Sequence, residues 1–519
     1  MPDWTTVSHP PARTSPWATL SVVHAAGTVC DSGKLLEGFS NHGLASLEQA
    51  LESIGNARYT TLGELDITAW KSAEPLAFAQ RQEGEQCALK VGDKWGGLFD
   101  CAWMKFRGEI PVEASGHPVS LLLDVSGEMC VFDDRGVPQR GLTSLSSEFD
   151  FTLGKPGKRV FPVAAAASAG AVEVWADCGC NDLFGNLQEN GIVRQADLVI
   201  EHPDVEALYY DFDVLLDFLK VLPEASARWR QILHALTGAA QVIQPDVRAG
   251  VAAARAQLAK ELAKRGGDPD LHISAIGHAH MDLAWLWPTR ETRRKSTRTF
   301  ATVLANMERY PSYIFGASQP QQLQWIKDQH PEMFQKIQAR VAEGRWECQG
   351  CMWVEPDTNI TGGESLIRQT MHGQKFWAQN FNKKPNHLWE PDVFGYTASL
   401  PQILRKSGVP YMMTQKLSWN AVNFFPHHAF HWQGIDGTRC LVHTLPEETY
   451  NSPAAPRAVK KIEQNYREAG VSEHALMVYG IGDGGGGPGT EHLERLQRIA
   501  NLAGLCPVQQ ETAEAFFSK

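Results

Sequence analysis

The chain has 519 residues, 43% apolar and 21% charged, with a formal net charge of −11. At that length and composition it reads as an ordinary globular chain of about three domains with ample material for a core. The acidic balance lacks the basic face that phosphate binding wants, so no nucleic-acid partner is expected.

The N-terminal stretch MPDWTTVSHPPARTSPW has no basic segment running into an apolar one, so no secretory signal is expected. Residues 1 to about 200 read as β-rich, with short runs such as Val119–Asp124 and Val172–Ala176 separated by Gly, Pro and Asp. Short runs with frequent turn signals predict a sandwich. Trp95, Trp103 and Trp175 could line a sugar-binding face, although a tryptophan in a β-domain is more often core. The stretch Val160 to Trp175 is too short and too rich in Ala and Gly to span a bilayer, so no membrane partner is expected and the protein reads as cytoplasmic.

From Asp204 to about Lys264 apolar residues recur at helical spacing, as in Leu215, Leu216, Phe218, Leu219 and Leu222, and Val251–Arg265 is strong helix former almost throughout. Gly266-Gly-Asp-Pro269 marks a boundary. Beyond it short apolar strands alternate with amphipathic helices. Strands are predicted at 272–276, 313–316, 345–354, 387–389, 411–414, 476–479 and 507–509, with helices at 293–308, 321–343, 364–380, 399–407 and 491–502 and a hairpin around Ile435-Asp-Gly437. That alternation predicts parallel βα units. The ten cysteines are dispersed. Cys348-Gln-Gly-Cys351 and Cys178-Gly-Cys180 lack the second pair that a structural zinc site wants, so buried thiols are the default.

Parallel βα folds place their sites at the carboxyl ends of the strands. The unusual polar residues fall there. The first strand runs into Gly277-His278-Ala-His280-Met-Asp282-Leu-Ala-Trp285. If the strand continues, positions 278, 280 and 282 share a face, and two imidazoles with a carboxylate suit a hydrolytic metal such as Zn²⁺. The alternative is satisfied core or turn histidines. Later strands deliver Glu355 and Asp357, then Trp389-Glu-Pro-Asp392, then Asp483 before four glycines. The glycine run lacks the Gly-Lys-Ser/Thr ending of a phosphate loop. Singly these acids would pass as turn formers. Interleaved with Trp285, Trp353 and Trp389 they suggest a sugar site, where carboxylates act as acid, base or nucleophile.

The segments IGHAHMDLAWLW (276–287), CMWVEPDTNITGGESLIRQ (351–369), LWEPDVFGYTASLPQIL (388–404), MMTQKLSWN (412–420) and YGIGDGGGGP (479–488) resemble glycoside hydrolase family 38, the class II α-mannosidases, in its cytosolic and bacterial branch. The resemblance implies a multidomain chain. A β-sandwich-like domain would span 1–200, a helical linker 201–268, and an α/β, seven-stranded-barrel-like catalytic domain 269–519. It implies a retaining exo-α-mannosidase acting on terminal α-D-mannosides of mannose-containing oligosaccharides in their catabolism, with one divalent ion, Zn²⁺ or Co²⁺. His280, Asp282 and Asp392 would be metal ligands, with Asp392 also the nucleophile. Asp483 would be the acid/base, and Trp285 would stack on mannose. Trp389, Lys416, Glu355, Asp357 and His443 would serve substrate binding, with Lys416 orienting the nucleophile in place of the Arg of other branches. His427, His428, Asp436 and Tyr450 could shape leaving-group specificity, or simply belong to a surface hairpin.

Members of that family continue through helical and β-domains that supply a further histidine ligand. The chain is therefore expected to be a fragment, to pair with a C-terminal half or second chain, or to be a short paralogue. The full-length form is expected to be a homo-oligomer. Two rival functions remain: an amidohydrolase or polysaccharide deacetylase, and a mannoside-binding remnant without turnover.

Overall fold

The computed structural model describes residues 32–143, 158–181, 191–482 and 484–519. The first described element is a helix, Ser32–Ala57. This corrects the β-rich reading from residue 1. Leu44, Leu47, Leu51 and Ile54 recur at three- and four-residue intervals, a helical rather than an alternating pattern.

Residues Gln49–Lys519 form one compact unit. Its first part is a sandwich of antiparallel sheets. Four strands run in the order Tyr59–Glu64, Gln195–Glu201, Val119–Asp124, Val160–Ala164. Six run in the order Glu85–Leu89, Asp66–Ser72, Cys101–Ile110, Gly170–Gly179, Glu128–Phe132, Pro138–Thr143. Alternate residues of both sheets, among them Ile67, Met104, Phe106, Leu121, Leu123, Val131 and Leu198, meet in one core. Trp95 and Trp103 lie in this domain's interior and their indole N–H groups donate to the Val125 and Leu76 carbonyls, so the core reading of these residues holds. Trp175 is half-buried, 5.0 Å from the Trp70 ring.

Helices Pro203–Val221, Ala227–Ile243 and Val247–Leu262 follow, the second and third capped by the side chains of Ser226 and Asp246. The α/β part then begins with strand His272–His278. Trp346–Cys348, Phe315–Ala317, His272–His278 and His474–Tyr479 lie side by side in parallel, and Val508–Gln510 also pairs with His272–His278. A second sheet holds His387–Glu390, Tyr411–Thr414 and Arg439–Thr444 in parallel, with Ala429–Gln433 antiparallel at its edge. The antiparallel pair is the hairpin expected around Gly437. The parallel strands thus divide between two hydrogen-bonded sheets among the described residues. The single helix expected over 321–343 is two, Pro320–Gln329 and Pro331–Ala342, because Pro331 removes a donor and disfavours helix at His330.

Between the sandwich and the parallel sheets lies helix Thr289–Arg309, here called the charged helix. Glu291, Arg294, Lys295 and Arg298 on it are all buried. They are tolerated because they are paired. Lys295 Nζ and Arg298 Nη2 both reach Glu128 Oε2, at 2.6 and 2.8 Å, and Arg294 grips both oxygens of Asp177 at 2.7 and 2.9 Å. Glu128 and Asp177 belong to sandwich strands. Cys178, Cys180, Cys348 and Cys351 are all buried free thiols. No helix among the described residues is long and apolar enough to cross a membrane.

Candidate active site

Strand His272–His278 ends earlier than the motif reading supposed, so 278, 280 and 282 do not share a strand face. His278 turns inward. It is buried, its Nε2 lies 2.6 Å from the Tyr450 carbonyl, and burial lowers its pKa to about 3. His280 and Asp282 lie in the loop that follows. Gln319 and Gln322 amides both donate to the Met281 carbonyl, at 2.8 and 3.1 Å, and Thr292 Oγ1 donates to the Leu283 carbonyl at 2.7 Å. These bonds fix a loop that has no ladder of its own.

His280 Nδ1 is 2.7 Å from Glu355 Oε2, whose other oxygen accepts from Ser318. With Nδ1–H donating to the carboxylate, Nε2 is the nitrogen turned towards the aspartates, able to ligate a cation once its own proton has left. That atom is buried and without a hydrogen-bond partner, with Asp392 Oδ2 at 3.4 Å and Asp282 Oδ1 at 3.7 Å. His280, Asp282 and Asp392 can each offer a ligand atom within 4.8 Å of the others, a group not repeated elsewhere among the described residues. An orphaned imidazole nitrogen facing two carboxylate oxygens, its ring held from behind by a third carboxylate, is a donor set suited to a divalent cation.

Asp392 follows strand His387–Glu390. Its Oδ1 lies 2.5 Å from Lys416 Nζ and accepts from Tyr450 Oη at 2.7 Å, leaving Oδ2 towards His280. Burial would raise this carboxyl, but His280 and Lys416 outweigh it and hold its pKa at about 2. Burial likewise opposes charge on His280, yet Glu355, Asp282 and Asp392 hold the imidazole well above its ordinary pKa. Lys416 opens a short turn after strand Tyr411–Thr414, and its ammonium sits 3.7 Å from the centre of the Trp419 ring, which is 65% exposed.

The remaining named residues divide. Trp285 is 51% exposed, its ring edge-on to Trp287, so a face is open to a ligand. Trp389 is only 1% exposed and sits in the core with Ile276, Met413 and Val478, so it offers no surface to a sugar. It occupies a strand position rather than the loop beyond, which is why the motif misled. His443 is corrected in the same way. It is 3% exposed, packed between Tyr466 and Phe516, and burial lowers its pKa to about 3. Glu355 faces His280, not the opening. Asp357 uses Oδ1 to accept from the Asn359 and Ile360 amides, while a Cβ at Gly395 would stand 2.4 Å from its Oδ2. His427 pairs with Glu468 and Asp436 with Thr438, so the hairpin reading suits both.

Asp483 lies outside the described residues; its neighbours do not. A Cβ on Gly482 would meet Asn451 Oδ1 at 2.9 Å and His280 Cβ at 3.1 Å, so the glycine loop passes directly against the His280 segment. Tyr450, Ser318, Gln319 and Trp419 make contacts that the motifs did not assign. For Ser318 and Gln319 the signal was available, since they follow strand Phe315–Ala317 at its carboxyl end.

Residues 270–519 match the glycosyl hydrolases family 38 N-terminal domain, and residues 62–209 match the α-mannosidase jelly roll domain. The mouse protein alpha-mannosidase 2C1 is 35% identical over 87% of this chain, and the alpha-mannosidase of Saccharomyces cerevisiae is 33% identical over 84%. The chain spans 44% and 41% of the lengths of those relatives. A solved α-mannosidase from Enterococcus faecalis aligns at 17% identity over 48% of this chain and 29% of its own, with a TM-score of 0.42. On the two domain matches and these relatives, the chain belongs to glycoside hydrolase family 38.

Proposed function

We propose that this chain carries the active site of a retaining, metal-assisted exo-α-mannosidase that works on mannose-containing oligosaccharides in the cytoplasm. The observation that carries the reading is the buried, unpartnered His280 Nε2 aimed between Asp282 and Asp392, on a chain whose relatives are named α-mannosidases. A divalent ion held by these residues, Zn²⁺ or Co²⁺, would supply Lewis-acid polarisation of sugar hydroxyls.

This chain's own groups supply the rest. His280 and Lys416 keep Asp392 ionised, and Lys416 and Tyr450 fix its orientation, which suits a carboxylate nucleophile attacking the anomeric carbon. In a retaining reaction a second carboxyl protonates the leaving oxygen and then deprotonates the incoming water. Asp483 is assigned that role on the family resemblance, and Gly482, which precedes it in the chain, lies against His280. Trp285 would pack an apolar face of the pyranose.

Hydrolysis of an aryl α-mannoside by the purified chain, with Zn²⁺ or Co²⁺ and with chelator, tests the reading. Turnover that chelator abolishes, and that Asp392→Ala reduces by at least about a thousandfold, is the expected result for loss of a covalent nucleophile. Asp392→Ala retaining wild-type turnover would overturn the assignment. Mannoside binding without hydrolysis would favour a binding role for the chain.

A further inference from the structure

The glycine loop is tied down from several sides. Gly482 N donates to Asn451 Oδ1 at 2.6 Å, Gly485 N to the His280 carbonyl at 3.2 Å, and Gly486 N to Thr299 Oγ1 at 2.9 Å. Asn306 Nδ2 donates to the Pro488 carbonyl at 3.1 Å. Gly484, Gly485, Gly486 and Gly487 all have positive φ, a run that only glycine adopts without strain. Such a run has little intrinsic preference for one shape, so its conformation must be imposed by neighbours.

One of those neighbours comes from a distant part of the chain. Lys158, whose carbonyl accepts from Thr143 N at the edge of the sandwich, sends Nζ to the carbonyls of both Gly486 (a short contact) and Gly487 (2.7 Å). No carboxylate lies within ion-pairing distance of it among the described residues. Burial lowers its pKa to about 8, with Glu491 and Glu128 opposing that fall and Arg140 adding to it. An ammonium in such a place, spent on two backbone carbonyls, costs stability unless something else is gained.

We propose that Lys158 is a positioning residue. By clamping the Gly486 and Gly487 carbonyls, the N-terminal β-domain sets the conformation of the glycine run that follows Asp483 in the sequence. The catalytic meaning of the clamp rests on the α-mannosidase reading and on Asp483 as its acid/base; the clamp itself does not.

The test uses the full chain with Lys158→Met, which keeps the stem and removes the charge, and Thr299→Val, which removes the hydroxyl that holds Gly486 N from the opposite side of the same peptide run, should Lys158→Met fail to fold. Hydrogen exchange of the peptide spanning 480–490 is expected to quicken in either variant, with exchange in the sandwich strands unchanged. Turnover of an aryl α-mannoside with a poor leaving group should fall about tenfold or more at unchanged KM, while a dinitrophenyl substrate, which needs little protonation, falls far less. Unchanged exchange in the 480–490 peptide overturns the proposal whatever the activity does. Equal losses on both substrates overturn the acid/base link. If the wild-type chain turns over neither substrate yet the peptide still loosens, the clamp stands and the mannosidase reading is what fails.

Discussion

Among the residues of the site, Glu355 changes meaning most between sequence and structure. In the motif Trp353-Val-Glu-Pro-Asp357 it looks like a sugar-binding acid, but its carboxylate is spent on His280 Nδ1 and Ser318. It therefore acts on the imidazole, holding Nδ1 so that Nε2 is the nitrogen turned towards Asp282 and Asp392. Glu355→Gln should weaken binding of Zn²⁺ or Co²⁺ by about ten- to a hundredfold, as read by titration calorimetry, with the fold intact. An affinity equal to wild type would show that the ring is held by something else. The His280–Asp282 pair and Asp392 were legible because their spacing and strand-end placement are local. The donation from Tyr450 to Asp392 was not, since it joins positions 58 apart in the chain.

Elements were mostly legible where pattern and punctuation agree. Strand Tyr411–Thr414 lies at its expected bounds, and the predicted helix 364–380 forms as Gly363–Phe381. The charged helix was predicted from its apolar spacing, but nothing local marks its cations as buried, because their partners lie on sandwich strands. A buried acid also governs the last element. Glu347, at the centre of strand Trp346–Cys348, accepts from the Ala513 and Glu514 amides at the start of helix Ala513–Ser518. Burial raises its pKa from 4.5 to about 7, and the two amides only partly offset this. Between those values the folded state holds a proton that the unfolded chain has released, so this group's contribution falls as pH rises through the window. Gln carries no such titration. The urea midpoint of Glu347→Gln, measured at pH 5 and pH 8, should gain on that of wild type as pH rises. A gap that does not move with pH would sink the assignment.

Across the whole molecule, the sandwich is part of the working structure. It supplies Glu128 and Asp177 to the charged helix and Lys158 to the glycine loop. Residues 269–519 produced alone would leave Lys295 and Arg298 without the Glu128 carboxylate they share. Removing one partner of a buried pair costs about 3–5 kcal/mol. That segment should therefore be aggregated or poorly folded by size-exclusion chromatography and circular dichroism, and a monodisperse, native-like product would show the interface to be dispensable. The sequence by itself determined the order of the β, helical and α/β regions, the family, and the strand ends at which the carboxylates gather, because hydrophobic period, turn residues and contiguous motifs are short-range properties. Only the tertiary structure decided that Trp389 and His443 are core, that Glu355 holds the His280 ring, and that Lys158 reaches the glycine loop. Those outcomes depend on which surfaces are covered and which charges meet across long separations, and no local pattern encodes either.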